Sequence, residues 1–295
     1  MDVLVAGGTG FIGTALCREL AESGHDVTAL ARNPTDAVVP PGVDVVAGDV
    51  TDPDSIAGAV QGRDAVVNLV SLSPLYQSPR GVSHESVHLG GTRTLVDAAE
   101  AADVDRFVQL SGLDAGPNGP TAFLRAKGRA EAVVREADLE WVIVRPSVVF
   151  GAQSEFLSFI GTVTFPYVTP LPAGGRTRFQ PIWIGDLAPM LADCVLGDRA
   201  GETYELAGPE VLTLADVTRL YHASRGHPVW IVPVPKLLTT IGFALADPLP
   251  IVPFGRDQAR SLDIDNTVTS NDVSAFDVEP ADLGSLRSYL SDAGG

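Results

Sequence analysis

The chain has 295 residues, 45% of them hydrophobic, which is enough for one large or two modest domains with a sizeable core. Its 37 acidic against 20 basic residues leave a net charge of −17, and the only lysines are Lys127 and Lys236. Such a surface excludes nucleic acid as a partner and suits a high-salt cytoplasm, where carboxylates keep a protein hydrated, although an ordinary acidic cytosolic protein has the same balance. Cys17 and Cys194 are too few for a disulfide framework or a cysteine-rich metal site, which fits a reducing cytosol. The N-terminus reads as a core strand rather than a signal peptide, and no uninterrupted apolar run reaches the ~18 residues of a spanning helix.

Val3-Leu4-Val5-Ala6 is an uncharged apolar run, the pattern of a strand buried on both faces. It enters Gly7-Gly8-Thr9-Gly10-Phe11-Ile12-Gly13, after which Phe11, Ile12, Ala15, Leu16 and Leu20 take helical spacing. The glycines fit G-x-G-x-x-G at Gly8, Gly10 and Gly13, and G-x-x-G-x-x-G at Gly7, Gly10 and Gly13. Strand, glycine turn and helix together form the context of a dinucleotide fingerprint. The glycines give a tight turn, bare backbone for a pyrophosphate and close helix-on-strand packing, and the helix start offers free N–H groups. Gly7, Thr9, Gly10, Phe11, Ile12 and Gly13 are the expected phosphate contacts.

Ser23-Gly24 stops the helix and Asp26–Ala31 reads as the second strand, ending at Arg32-Asn33. A carboxylate at this point would bind ribose hydroxyls, whereas an arginine can pair with a 2′-phosphate, so Arg32 favours NADP(H) over NAD(H). The alternative for Arg32 is a solvated loop arginine. The third strand is 43–48, followed by Asp49-Val50, where Asp49 can meet an adenine amino group, and by a helix opened at Thr51-Asp52-Pro53. The fourth strand, 64–71, ends in Leu69-Val70-Ser71, expected to line the nicotinamide side. A polar loop over the site (73–83) precedes a long helix (84–102) and a fifth strand (106–111). Then come a loop (112–120), a helix (121–137) and a sixth strand (141–146). Six alternations of strand and helix predict an α/β fold with a doubly wound parallel sheet.

Past Gly151 the period breaks up. A turn and strand are expected over 174–181, a helix capped by Asp186 to Leu196, a strand over 203–207 and a capped helix over 213–224. Residues 229–254 are apolar and interrupted by prolines, with a short helix expected over 236–246. Either they are core of a second domain or they form a partner-docking or membrane-surface segment. The acidic tail carries Leu283, Leu286 and Leu290 at helical spacing. The boundaries predicted are a nucleotide-binding domain over 1–151, to which 181–200 returns, and a small C-terminal α+β lid domain over 152–295.

Gly7 to Gly13, Asp49-Val50, Ser111, Lys127 and Arg145-Pro146-Ser147 stand in the order and spacing of the extended and atypical short-chain dehydrogenase/reductase superfamily. The chain resembles that superfamily, with its epimerase/dehydratase-like members, over nearly its whole length. Within it, the chain is most similar to the group of the dinucleotide-binding accessory subunit of respiratory complex I. The segments that carry this likeness are 145–151, 180–188, 256–258 with Asp265-Asn266, and 282–290.

The resemblance implies a Rossmann sheet and an NAD(P) cofactor, and it adds Pro146, Ser147, Val148 and Lys127 to the cofactor contacts. It also implies catalytic roles. In the family a tyrosine exchanges a proton with the substrate oxygen, a lysine lowers the tyrosine's pKa and holds the ribose, and a serine orients the substrate. Here the lysine is Lys127 and the serine Ser111, but Phe123 stands where the tyrosine would be, four residues before Lys127 and on the same helix face.

A phenyl ring has no proton to give, so three readings follow. Lys127 binds the ribose of a cofactor held without turnover, in an accessory or assembly subunit of a respiratory or quinone-synthesis complex. Another donor (Ser111, Tyr76, His84 or a water) completes an oxidoreductase or epimerase acting on a lipid- or quinone-related substrate. Or Lys127 is a solvated helix lysine. His84-Glu85-Ser86-Val87-His88 matches the H-E-x-x-H zinc signature. Its place at the start of a helix in a nucleotide fold, without an indicated third protein ligand, assigns it to the cleft, and no metal is expected.

Overall fold

A computed structural model describes residues 1–235, 260–261 and 263–292. The chain divides into two compact units: 1–72 with 78–146 and 184–205, and 73–77 with 147–183 and the residues from 206 onward. The break falls between Pro146 and Ser147 rather than after Gly151, and the segment returning to the first unit is 184–205 rather than 181–200.

In the first unit the apolar runs form β1 (Asp2–Ala6), β2 (Asp26–Ala31), β3 (Val43–Ala47), β4 (Ala65–Asn68), β5 (Arg106–Leu110) and β6 (Glu140–Pro146). All five pairings among them are parallel: β1 with β2 and β4, β2 with β3, β5 with β4 and β6. The sheet runs β6-β5-β4-β1-β2-β3, with the strand Glu202–Leu206 added beside β6. The order reverses between β1 and β4, and in such sheets ligands bind outside the carboxyl ends of the two strands that flank the switch.

Helices α1 (Phe11–Glu22), α2 (Pro53–Val60), α3 (Gly91–Ala101) and α4 (Ala122–Glu136) start where local chemistry satisfies or frees their first N–H groups. Asp52 accepts from Asp54 N at 3.3 Å ahead of Pro53, and Thr121 accepts from Leu124 N at 3.2 Å. Leu4, Ala6, Val66, Phe107 and Ile143 of the sheet pack with Ile56, Leu95, Val96 and Val134 of α2, α3 and α4. Helix α1 instead lies against the helix Ile184–Leu196. That helix begins two residues before the expected cap, so Asp186 sits in its first turn. The long helix expected from His84 is π-helical over Glu85–Gly90 before it becomes α3.

The second unit holds the helix Glu155–Val163, which the sequence reading left undefined, and the helix Leu214–Ala223. The latter starts with a reciprocal capping box between Thr213 and Asp216. Strands Tyr167–Pro172 and Val229–Val234 pair in parallel. The helix expected over 236–246 and the segment 256–258 lie outside the described residues. Leu283, Leu286 and Leu290 are all buried, but the tail's α-helix starts only at Leu286. Among the described residues no helix is long and apolar enough to cross a membrane.

Candidate functional site

Gly7 takes φ +81°, a conformation that only glycine adopts cheaply, and a Cβ there would press within 3.2 Å of Leu69 C and Val70 N. A Cβ on Gly13 would lie 2.1 Å from the Gly7 carbonyl oxygen, so helix α1 can start this close to β1 only without a side chain at that point. Gly10 is the N-cap of α1, no side chain caps the helix, and its first turn carries no acid. The leading N–H groups of Phe11, Ile12 and Gly13 are therefore open to an anion, with the positive helix end behind them. Leu69 N donates to Ala6 O at 2.9 Å, so the end of β4 runs beside the turn. Val70 N is held by Asn68 Oδ1 at 3.2 Å, while Ser71 is exposed. These backbone and steric features fit a dinucleotide pyrophosphate.

Arg32 and Asn33 are exposed just beyond β2, and among the described residues Arg32 forms no ion pair or hydrogen bond of its own. Asp49 accepts through Oδ1 from Thr51 N at 2.9 Å and Thr51 Oγ1 at 2.7 Å. These bonds, opposed by partial burial and aided by Arg32, hold its carboxyl below the usual range. Its Oδ2 is left to accept from a ligand.

At the other end of the unit, Lys127 is 1% exposed and its Nζ donates to Leu110 O at 2.7 Å. Burial pulls it down to about 7, against an upward pull from Glu131. This excludes the solvated helix lysine. Phe123, Lys127 and Glu131 follow one another at four-residue steps along α4. The residue that sequence reasoning missed is Glu131, whose spacing was the available signal. Its carboxylate, 1% exposed, accepts from Ser111 Oγ at 2.5 Å, Arg145 Nε at 2.9 Å and Nη2 at 2.7 Å, and Arg135 Nη2 at 3.0 Å. The bonds to Glu131 raise the Arg145 guanidinium above its ordinary value despite half-burial.

The Ser111 hydroxyl, expected to orient a substrate, donates to Glu131 instead. Gly112 is one neighbour of the Phe123 ring, and an added Cβ there would lie 3.6 Å from the ring's Cε1. Ser147 Oγ and Val148 N both bond Asn266 Oδ1, at 2.7 and 2.8 Å, inside the second unit. Pro146 is buried at the end of β6. Tyr76 packs edge-on against Phe159 in the second unit.

The imidazoles of His84 and His88 stack at 5.4 Å and 12°, and both meet Phe123 edge-to-face, at 5.7 and 5.3 Å. Leu72 N lies 3.4 Å from His88 Nε2, and His88 Nδ1 is buried with no hydrogen-bond partner among the described residues. Burial first, then the charges of Lys127 and His84, push His88 down to about 2, so this imidazole is neutral. Glu85 points to Arg129 at 2.8 Å instead of serving the histidines, and no group of three ligands for a metal occurs among the described residues. Asn68, buried below the turn, donates to Thr92 and Gln109, each at 3.0 Å, and this network ties β4 to α3 and β5.

The model of a family described as NAD(P)H-binding matches residues 7–154. Subunit 9 of the NADH dehydrogenase [ubiquinone] 1 alpha subcomplex of Arabidopsis thaliana is 28% identical over 93% of this chain and 73% of its own. The 40 kDa subunit of the NADH-ubiquinone oxidoreductase of Neurospora crassa is 29% identical over 83% of this chain, which spans just under two thirds, 66%, of that protein. An NAD(P)H azoreductase of Xenophilus azovorans is 28% identical over 79% of this chain and 77% of its own. For the fold alone, the dTDP-glucose 4,6-dehydratase DesIV of Streptomyces venezuelae, solved with NAD and TYD bound, superposes with a TM-score of 0.72. It is 22% identical and covers 100% of this chain and 96% of its own. The chain belongs to the NAD(P)H-binding family, on a short-chain dehydrogenase/reductase and epimerase-like Rossmann fold.

Proposed function

We propose that this protein holds NADP(H) as a resident dinucleotide and serves as a cofactor-binding accessory or assembly subunit of a respiratory or quinone-synthesis complex, without the acid–base turnover usual on this fold. The observation that carries the reading is that no hydroxyl stands at position 123, where the family places its proton-exchanging tyrosine. Phe123 has no hydroxyl, Gly112 lies beside its ring without a side chain, and the Ser111 hydroxyl donates its hydrogen bond to Glu131. The glycine turn would hold the pyrophosphate through the N–H groups of Phe11, Ile12 and Gly13, Asp49 the adenine amino group, and Lys127 the ribose. Arg32, without an ion pair among the described residues, supports a 2′-phosphate and so NADP(H). The cofactor supplies a hydride when bound; the residues named orient it. The complex I subunits among the relatives support a role beside protein partners. The acidic, lysine-poor composition supports a salt-rich cytoplasm and the two cysteines a reducing one, with 229–254 as a candidate partner or membrane-surface segment.

A second reading, reductase activity with a modified donor, rests on Lys127. A buried ammonium near half-titration at neutral pH can itself release a proton, and one relative is named an azoreductase. Titration of the purified protein with NADPH and NADH in molar salt, followed by quinone and carbonyl substrates with reduced cofactor monitored by absorbance, separates the readings. Tight NADPH binding without oxidation is the expected result. Turnover replaces the accessory role with a reductase, and no binding of either nucleotide removes both.

A further inference from the structure

The second unit carries a cavity that the dinucleotide reading does not use. It has a volume of about 380 Å3 and is lined along the start of the helix Glu155–Val163 by Gln153, Ser154, Leu157 and Ser158. Tyr221, Ser224 and Arg225, at the end of the helix Leu214–Ala223, and Tyr289 of the tail form the remainder of its lining with Leu290, Gly151 and Ala152. Among the described residues that line it, Arg225 is the one charged group and none is a carboxylate. In a chain with 37 acids, the Arg225 guanidinium has no ion pair among the described residues. It lies 3.7 Å above the Tyr221 ring and uses only Nη1, on Tyr221 O at 3.2 Å and Ser224 Oγ at 3.5 Å. Nε and Nη2 remain as parallel donors, the fork that matches a carboxylate or phosphate. Its charge is felt locally, since it adds to the burial that depresses His222.

The walls are built to stay in place. A Cβ on Gly161 would stand 2.1 Å from Tyr221 Oη, so the glycine admits the tyrosine against its helix. Ser154 and Ser158 are anchored within that helix, Ser154 on Leu157 N at 3.3 Å and Ser158 on Ser154 O at 2.9 Å. Tyr289 packs against Phe150 with ring centroids 5.4 Å apart. The hydroxyls of Tyr221 and Tyr289 make no hydrogen bond among the described residues. Two flat rings, Leu157, spare hydroxyl donors and an unneutralised guanidinium suit one class of ligand. We infer that this cavity binds a small aromatic anion, its carboxylate or phosphate on Arg225 and its flat body against Tyr221, Tyr289 and Leu157.

The test is amide chemical-shift mapping of the full chain with phenyl phosphate, benzoate, inorganic phosphate and the neutral benzyl alcohol, each to about 10 mM. The expected result is saturable shifts at 151–158 and 221–225 with one or both aromatic anions, and none there with benzyl alcohol. The phosphate and carboxylate arms tell which head group is preferred. Exposed Arg225→Gln should weaken the anion about tenfold without lowering Tm. Ser158→Trp, which fills the cavity from an exposed position, should abolish binding of every probe. Shifts confined to 7–13, equal binding of benzyl alcohol, unchanged affinity in Arg225→Gln, or no binding to the parent chain would each overturn the inference.

Discussion

The two ends of the dinucleotide-binding unit are built from different material. At the glycine turn, the site is backbone: Gly7 at positive φ, Gly13 pressed on the Gly7 carbonyl, and an uncapped helix start. At the end of β5 and along α4 it is side chains. Phe123 lacks a hydroxyl, Ser111 donates to Glu131, and Lys127 donates to Leu110 O. Backbone recognition of an anion tolerates most side-chain changes as long as the glycines stay. Acid–base chemistry depends on single oxygen atoms, so one substitution removes it while the cofactor cradle is untouched.

The largest effect should come from the backbone end. Gly13→Ala drives a methyl into the Gly7 carbonyl, with an expected loss of about 3 kcal/mol of stability and of measurable nucleotide binding, followed by thermal unfolding and NADPH titration. Retained affinity would mean that the turn does not hold the phosphates. At the side-chain end, Lys127→Met should act in opposite directions on stability and on binding. Removing a buried ammonium should raise stability by about 2 kcal/mol at neutral pH, while cofactor affinity falls.

The sign with pH follows from the lysine being held at about 7 when folded, below its ordinary 10.5. Between those values the unfolded chain binds the extra proton, so the parent protein gains stability as pH rises through the window. The advantage of Lys127→Met is therefore full below pH 7 and shrinks toward pH 10.5, as denaturant midpoints at several pH values would record. An advantage that does not change with pH would assign Lys127 a solvated environment.

Arg32→Asp should weaken NADPH about tenfold and NADH little, read by nicotinamide fluorescence; equal losses would remove the 2′-phosphate argument. Phe123→Tyr should change least. It adds one oxygen beside His84 and His88, and cofactor affinity is expected to stay within about twofold. A large drop would show that this helix face is part of the cofactor cradle itself.

Much of this contrast was legible in the residues. The glycine spacing, the alternation of strand and helix and the four-residue step from Phe123 to Lys127 are local patterns, and local patterns survive in a string of letters. The four-residue step continues to Glu131, but spacing alone does not say that Ser111 and Arg145, 20 and 14 residues away, converge on it. The helix Glu155–Val163 was missed for a related reason, since its apolar residues lie among the prolines and glycines of an irregular stretch. Asp186 was read as a cap because Asp before an apolar run is a common helix start, yet the helix begins earlier, at Ile184.

The sequence by itself determined the sheet, the glycine turn and the phenyl ring at position 123, because each depends on residue type at fixed short spacing. Only the tertiary structure decided that Ser111 is bonded to a buried carboxylate, that Lys127 is desolvated, that His88 is neutral and that Arg225, beside a cavity, has no ion pair among the described residues. Those properties belong to the surroundings of a group. Surroundings are made by segments distant in the chain, through burial and through charges that meet only when it folds.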